Sequence, residues 1–269
     1  MTTEEKIEQV KDFRPIDDVF FEVLAEDKDV CQEILRIIMD DDQLIVRDVI
    51  VQSSERNIYG RSVRLDALCY LKSGKRVNIE VQRANNDDHL RRVRFNAASI
   101  TVKESNASEK FSNVVDVYIV YISEHDFFHG ESPIYHIDKI IRETGDVIDD
   151  GEFKIFVNAE SKNESDVSEL MQCFTQKSVN NPKFPYLSNR VKELKTTEGG
   201  ASAVCEVMEK YQAEAVKKAD KVASIRTTVE NYTDMNRPEV EILAALMKKF
   251  ALSESEAIEA YEQYAPVLK

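Results

Sequence analysis

Asp66 and Glu80 are the residues through which this chain could do chemistry. They sit on two short neighbouring segments, RSVRLDALCYL (61–71) and KRVNIEVQR (75–83), separated only by Lys72-Ser73-Gly74. Both segments alternate and are rich in β-branched or aromatic residues, as strands are. The Lys-Ser-Gly linker is a compact turn with glycine where a positive φ is wanted, so the two strands read as a β-hairpin. With three residues in the loop, Leu71 faces Lys75 and Asp66 falls opposite Glu80, with Gln82 two residues further along the same face. Directly opposed residues lie about 4.5–5.5 Å apart at Cβ, close enough for two carboxylates to share a metal ion. A loop one residue shorter or longer would put the acids on opposite faces. Two opposed acids repel, and a hairpin holding them needs positive charge between them. A divalent ion is one answer. A nearby Arg or Lys is the other, and Arg64 lies on the same face.

The elements that must carry this hairpin are also legible. Between Pro15 and Met39, Phe20, Val23, Leu24, Ile34, Leu35 and Ile38 recur at helical spacing, which predicts a helix broken near Lys28, with Asp17 or Asp18 capping its start. Residues 43–52 (QLIVRDVIVQ) read as a strand preceding the hairpin. Residues 87–103 open with Asp87 and Asp88 and place Leu90, Val93, Ala97 and Ile100 on one face of a second helix. Residues 113–123 (NVVDVYIVYIS) form a nearly unbroken apolar run, the mark of a central strand covered on both faces. Helix, three strands, helix and strand make an α/β layer with a mixed sheet, because a tight hairpin and a helical crossover occur together. Residues 132–141 and 151–159 read as peripheral strands or a helix, and 180–186, with two prolines, as irregular. Gly199-Gly200 marks a joint before two helical segments, 203–231 and 238–264, with Pro238 near the first position of the second. The expected division is therefore a domain at 1–199 and a helical C-terminal module at 200–269.

Composition excludes more than it identifies. A chain of 269 residues with 42% hydrophobic content can bury a sizeable core. Its start is acidic and polar, and no apolar run approaches the roughly 18 residues of a membrane span, so a soluble cytoplasmic protein with no membrane partner is expected. Cys31, Cys69, Cys173 and Cys205 are widely spaced and form no C-x-x-C pair, consistent with reduced thiols. The formal net charge of −14 offers no general polyanion-binding surface. A nucleic-acid enzyme would need a locally basic cleft and a bound cation.

The runs R-L-D-A-L-C-Y-L and S-G-K-R-V-N-I-E-V-Q-R resemble the core of PD-(D/E)XK nucleases, in particular the transposase-like, recombination-promoting branch. The element order is similar to that superfamily's αβββαβ core. Asp17-Asp18-Val19-Phe20 and the segment HDFFHGESPIYH (125–136) add to the likeness, which spans roughly Phe13 to Leu194. The resemblance implies a restriction-endonuclease-like fold with a mixed central sheet. It implies Asp66 and Glu80 as ligands of Mg²⁺ or Mn²⁺, Gln82 where many relatives carry a catalytic lysine, and Asp17 or Asp18 as an outer acid. Where the family pattern often has a lysine after the first-helix phenylalanine, this chain has Phe21.

The function so implied is metal-dependent DNA endonuclease activity by phosphodiester hydrolysis. The alternative is a weak or silent nuclease fold retained as an interaction or regulatory protein. Arg83, Arg91, Arg92 and Arg94 are the candidate phosphate contacts, their other reading being a solvated helix face balanced by Asp87 and Asp88. His125 and His129 flank Asp126 at ligand spacing, but Phe127, Phe128 and Gly130 argue for a strand-end loop rather than a zinc site. The last two helices have a helix-turn-helix outline with a Ser253 to Glu256 capping signal, yet Glu254, Glu256, Glu259 and Glu262 make the second one acidic. That favours packing on the core or on a second copy of the chain over DNA reading.

Overall fold

The computed structural model describes residues 2–56, 62–83, 89–106, 108 and 110–265. It contains two compact units, Met1–Val207 and Met208–Lys269. The first opens with a helix absent from the sequence expectation, α1 (Thr3–Val10), held by a capping box in which Thr2 and Glu5 satisfy each other's backbone N–H. The expected broken helix is a pair, α2 (Asp18–Leu24) and α3 (Lys28–Ile38). The break falls where Asp27 leaves the helical conformation and caps α3 by accepting from the Asp29 amide. Val30, Cys31, Ile34, Leu35 and Ile38 then bury one stripe of α3.

Three strands follow, β1 (Val46–Arg56), β2 (Ser62–Leu71) and β3 (Arg76–Gln82), then α4 (His89–Lys103) and β4 (Val117–Ser123). Asp87 and Asp88, expected at the start of α4, lie outside the described residues. Beyond β4 come β5 (Ile134–Ile137), the two-residue strands β6 (Lys139–Ile140) and β7 (Val147–Ile148), β8 (Glu152–Asn158), α5 (Asp166–Thr175) and α6 (Pro185–Thr196). The main sheet has the order β1-β2-β3-β4-β8-β5. It is mixed: β1, β2 and β3 are antiparallel neighbours, β3–β4 and β4–β8 are parallel, and β5 returns antiparallel to β8. β4 is central, as its apolar run requires. One expectation needs correcting: residues 151–159 are not peripheral, because β8 is an inner strand between β4 and β5. Its exposed-looking sequence, GEFKIFVNA, hides this because the outer half of the strand is only partly covered while Ile155, Phe156, Val157 and Asn158 are buried.

Each face of the sheet has its own core. Ala67, Cys69, Val77, Ile79, Val81, Val120 and Ile122 pack with residues of α2, α3, α5 and α6. On the other face Leu68, Ile119, Tyr121 and Phe156 pack with Val93, Ala97 and Ile100 of α4. Helices on both faces explain why the middle strands are almost continuously apolar.

The Gly199-Gly200 pair begins a helix, α7 (Glu198–Asp234), directly after α6. Gly200 is glycine because a Cβ there would stand 2.5 Å from the Cα of Leu194. The boundary between the two compact units falls further on, inside α7. The second unit is completed by α8 (Glu239–Phe250) and α9 (Glu254–Tyr264), whose core is Ile225, Val229, Ile242, Leu246 and Ala257. Ser253 and Glu256 form the expected capping box on α9. Pro238 is the cap residue of α8, one position before the one expected. Among the described residues no helix is long and apolar enough to cross a membrane.

Candidate active site

The β2–β3 turn sets everything that follows. Leu71 donates its amide to the Lys75 carbonyl at 3.0 Å, and Gly74, at φ +93°, donates to the Leu71 carbonyl at 3.1 Å. The Lys72-Ser73-Gly74 loop thus has three residues, and the strands pair from Tyr70–Arg76 through Ala67–Ile79. The next position in that register sets Asp66 against Glu80. There the side chains take over from the backbone ladder. The Val81 amide donates to Asp66 Oδ2 at 3.0 Å, and the Asp66 amide points at Glu80 Oε1 at 3.4 Å. Meanwhile β3 stays clamped in parallel to β4, with Glu80 beside Tyr121 and Gln82 beside Ser123. One strand is held while its partner departs, and the two acids occupy the opening.

Asn78, fully buried on the same face of β3, donates its side-chain amide to Glu80 Oε1 at 2.6 Å. Asp66 Oδ1 and Glu80 Oε2 take no hydrogen bond from the described residues, and neither acid has an ion-pair partner among them. Burial, and then repulsion by Glu80, raises the Asp66 carboxyl well above the ordinary carboxylate range. Burial pushes Glu80 up to about 7 against the opposing pull of Asn78, the Asp66 amide and Arg92. Arg64, the cation that could have neutralised this pair, has its guanidinium 3.7 Å from Glu22 of α2.

The two candidate outer acids separate cleanly. Asp17 is the cap residue of α2 but makes no side-chain cap bond. Its carboxylate instead accepts from the Arg14 amide at 2.7 Å and pairs with the Arg14 and Arg83 guanidinium groups at 3.3 and 3.0 Å. Asp18 is the acid whose charge reaches Asp66 and Glu80, raising both. Its own carboxyl is raised by lost hydration, with Asp17 adding to the shift and Arg83 and Arg92 opposing it.

Of the candidate cations, Arg83 bridges Asp17 and Glu124, the latter at 3.4 Å. Arg92 is the α4 arginine whose field bears on Asp18, Asp66 and Glu80. Arg91 and Arg94 are exposed on the same helix, and neither is among the principal charges acting on those three acids. Sequence reasoning missed Arg14 and Glu124, which pair at 2.6 Å across 110 residues. No local pattern could have joined them. Asn78 had a signal, its position two residues before Glu80 on one strand face.

The model of the PD-(D/E)XK nuclease family transposase matches residues 15–228. The chain belongs to that family. The match runs past the expected Leu194 limit and into α7. No curated protein and no solved structure matches the chain. Family membership supports a nuclease-like function and DNA as the partner, and PD-(D/E)XK nucleases generally use divalent metals.

Against that family requirement, no group of three or more His, Cys, Asp or Glu among the described residues is arranged to hold a metal ion. Two carboxylates suffice for Mg²⁺, which keeps several waters and commonly takes one or two protein carboxylates together with substrate phosphate. The uncompensated Asp66–Glu80 pair fits that donor set. Phe21, where the family pattern often has lysine, is fully buried against Phe174. His125 and His129 form no such group: His125 bonds Glu160 at 3.0 Å, and Asp126 accepts the amides of Phe128, His129 and Glu131 and the Tyr135 hydroxyl. The HDFFHGESPIYH segment is thus a loop closed around Asp126, with Phe127 stacked on His89 of α4 at 4.7 Å.

Proposed function

We propose that this protein is a metal-dependent DNA endonuclease of the transposase-like, recombination-promoting type, acting in the cytoplasm through Asp66, Glu80 and Gln82. The observation that carries this reading is the opposed Asp66–Glu80 pair, Glu80 buried and Asp66 half-buried, with no ion-pair partner among the described residues. Such a pair is costly to keep ionised unless a cation is part of its working state. A Mg²⁺ or Mn²⁺ ion held there supplies a more acidic water and a polarised phosphate. Asp66 and Glu80 hold it, and Asp18 adds negative charge at the mouth of the site. Asn78 fixes the Glu80 carboxylate. Gln82, beside Ser123 on β4, contributes an amide that can orient a water but no cation. Arg92, with Arg83 at the strand exit, supplies positive charge near the acids for the DNA backbone; Arg91 and Arg94 extend that contact along α4. In this reading residues 1–199 form the nuclease-like domain, and 200–269 a helical module through which the chain self-associates.

The test is cleavage of supercoiled plasmid and single-stranded DNA with Mg²⁺, Mn²⁺ or EDTA by wild type, Asp66→Ala and Glu80→Ala, with folding checked by circular dichroism. Metal-dependent nicking lost in both folded variants is the expected result. A second reading has specific support in Gln82 at the lysine position and in the net charge of −14: a silent nuclease fold kept for interaction. Equal behaviour of all three proteins would select it.

A further inference from the structure

A cavity lies at the end of α1, between the segment after α5 and helix α6, with a volume of about 500 Å³. Lys11, Lys177, Lys192 and Lys195 line it together with serine, asparagine and threonine side chains, and none of its described lining residues is acidic. In a chain with 50 acidic and 36 basic residues, four lysines around one cavity is a departure from the prevailing charge. Lys195 is fixed in its wall. Its ammonium donates to the backbone carbonyls of Lys11, at 3.0 Å, Phe13 and Lys177, and lies 5.2 Å from the centre of the Phe20 ring. Burial lowers its pKa to about 8 against the opposing pull of Asp12 and Asp17.

Lys192 is exposed on α6, and its ammonium makes no hydrogen bond or ion pair with the described residues. Lys11 and Lys177 pair with Glu8 and Asp12, but all four side chains are more than half exposed, and such pairs contribute little and exchange readily for a better anion. Lys177 also lines a neighbouring cavity of about 480 Å³, whose charged walls are Arg14 and Arg83 with Asp12, Asp17 and Glu124. Asp17 adjoins Asp18, and Arg83 follows Gln82 in the chain. A band of paired charges therefore leads from the acids past Arg83, Arg14 and Lys177, and it gives way at the four-lysine cavity to a lining with no described acid.

We propose that this cavity binds backbone phosphates of the polynucleotide at a distance from the bond under attack, and so sets the path the strand takes away from the acids. The proposal rests on the nuclease reading for its ligand. Phosphate contacts of this kind fix register and orientation and carry no sequence information.

The experiment is the salt dependence of binding of a fluorescent DNA duplex in EDTA, where no cleavage occurs. It compares wild type, Lys11→Ala/Lys192→Ala, and Lys221→Ala as a control on α7. Each phosphate contact contributes about 0.9 to the slope of log K against log salt on duplex DNA. The double variant is expected to lose about 1–2 from that slope, while the control keeps it. A double variant with the wild-type slope overturns the proposal, whatever the plasmid assay shows. A slope lost as expected in a protein that cleaves nothing supports it and fails the nuclease reading alone. If wild type binds no duplex but is stabilised by tripolyphosphate, and the double variant is not, the cavity serves a small phosphate ligand and the polynucleotide assignment is overturned.

Discussion

Two carboxylate clusters lie at the same end of the sheet and are treated in opposite ways. Asp17 and Glu124 are met by Arg14 and Arg83, and these cations, Arg14 above all, hold the Glu124 carboxyl below its usual range. Asp66 and Glu80, just inside them, are met by amides and by Asn78, and both carboxyls are raised. The outer cluster is a finished ion-pair network that ties the start of α2 to the ends of β3 and β4. The inner one is electrostatically incomplete. An incomplete cluster surrounded by a complete one is what a site for an exogenous cation looks like, since perturbed acids concentrate where chemistry is done.

The comparison breaks most visibly in the cleavage assay. Asp66→Ala or Glu80→Ala is expected to lower the metal-dependent rate by more than about 100-fold, because losing even an outer-shell partner of a metal ligand typically costs about 10–100-fold. Asn78→Ala, which frees Glu80 without removing it, should fall within that smaller range, with a weaker apparent Mg²⁺ affinity measured by titration of the rate.

Stability against pH separates the clusters next. Because the Glu80 carboxyl is raised to about 7, its contribution to the metal-free fold is complete at acid pH and is lost as pH rises through that value. Glu80→Gln should therefore stabilise the metal-free protein at pH 8 by roughly 1–3 kcal/mol in urea denaturation, and Mg²⁺ should erase the difference. Glu124 has a lowered carboxyl, so its contribution is present at neutral pH and is lost as pH falls through its folded value. Glu124→Gln should cost about 1–2 kcal/mol at pH 7 and little at pH 3. If both substitutions moved stability the same way with pH, the two clusters would not differ in kind.

The smallest expected effect is on the exposed arginines. Arg91→Ala should reduce the salt slope of DNA binding by about 1 or less without altering the cleavage rate at saturating DNA.

What could be read from sequence followed the range of the forces involved. The β2–β3 hairpin, its three-residue turn and the Asp66–Glu80 opposition are local, fixed within 15 residues by alternation and one glycine, and all were legible. The break between α2 and α3 was legible from apolar spacing. The inner position of β8 was not, because order within a sheet is set by pairing with a strand some 35 residues earlier. Asp17 and Asp18 were indistinguishable as neighbours at a helix start. What separates them is Arg83, brought in from β3. Helices α5 and α6 were missed for a related reason: Phe174, Phe184 and Leu187 are fully buried, but they pack with residues of α1 to α3 far away in the chain.

The three-residue tip of the hairpin constrains how this protein can vary. Lys72 and Ser73 are solvent-facing, and their identities are nearly free. The number of residues there is not. β2 is locked to β1 and β3 to β4, so neither strand can slide to absorb a deletion. Removing Ser73 would either strain the tip or turn one acid out of the shared face. Point changes at Lys72 or Ser73 should therefore be silent, whereas a single-codon deletion should remove metal affinity as completely as losing a carboxylate. Parity of the loop, rather than its composition, is the inherited property.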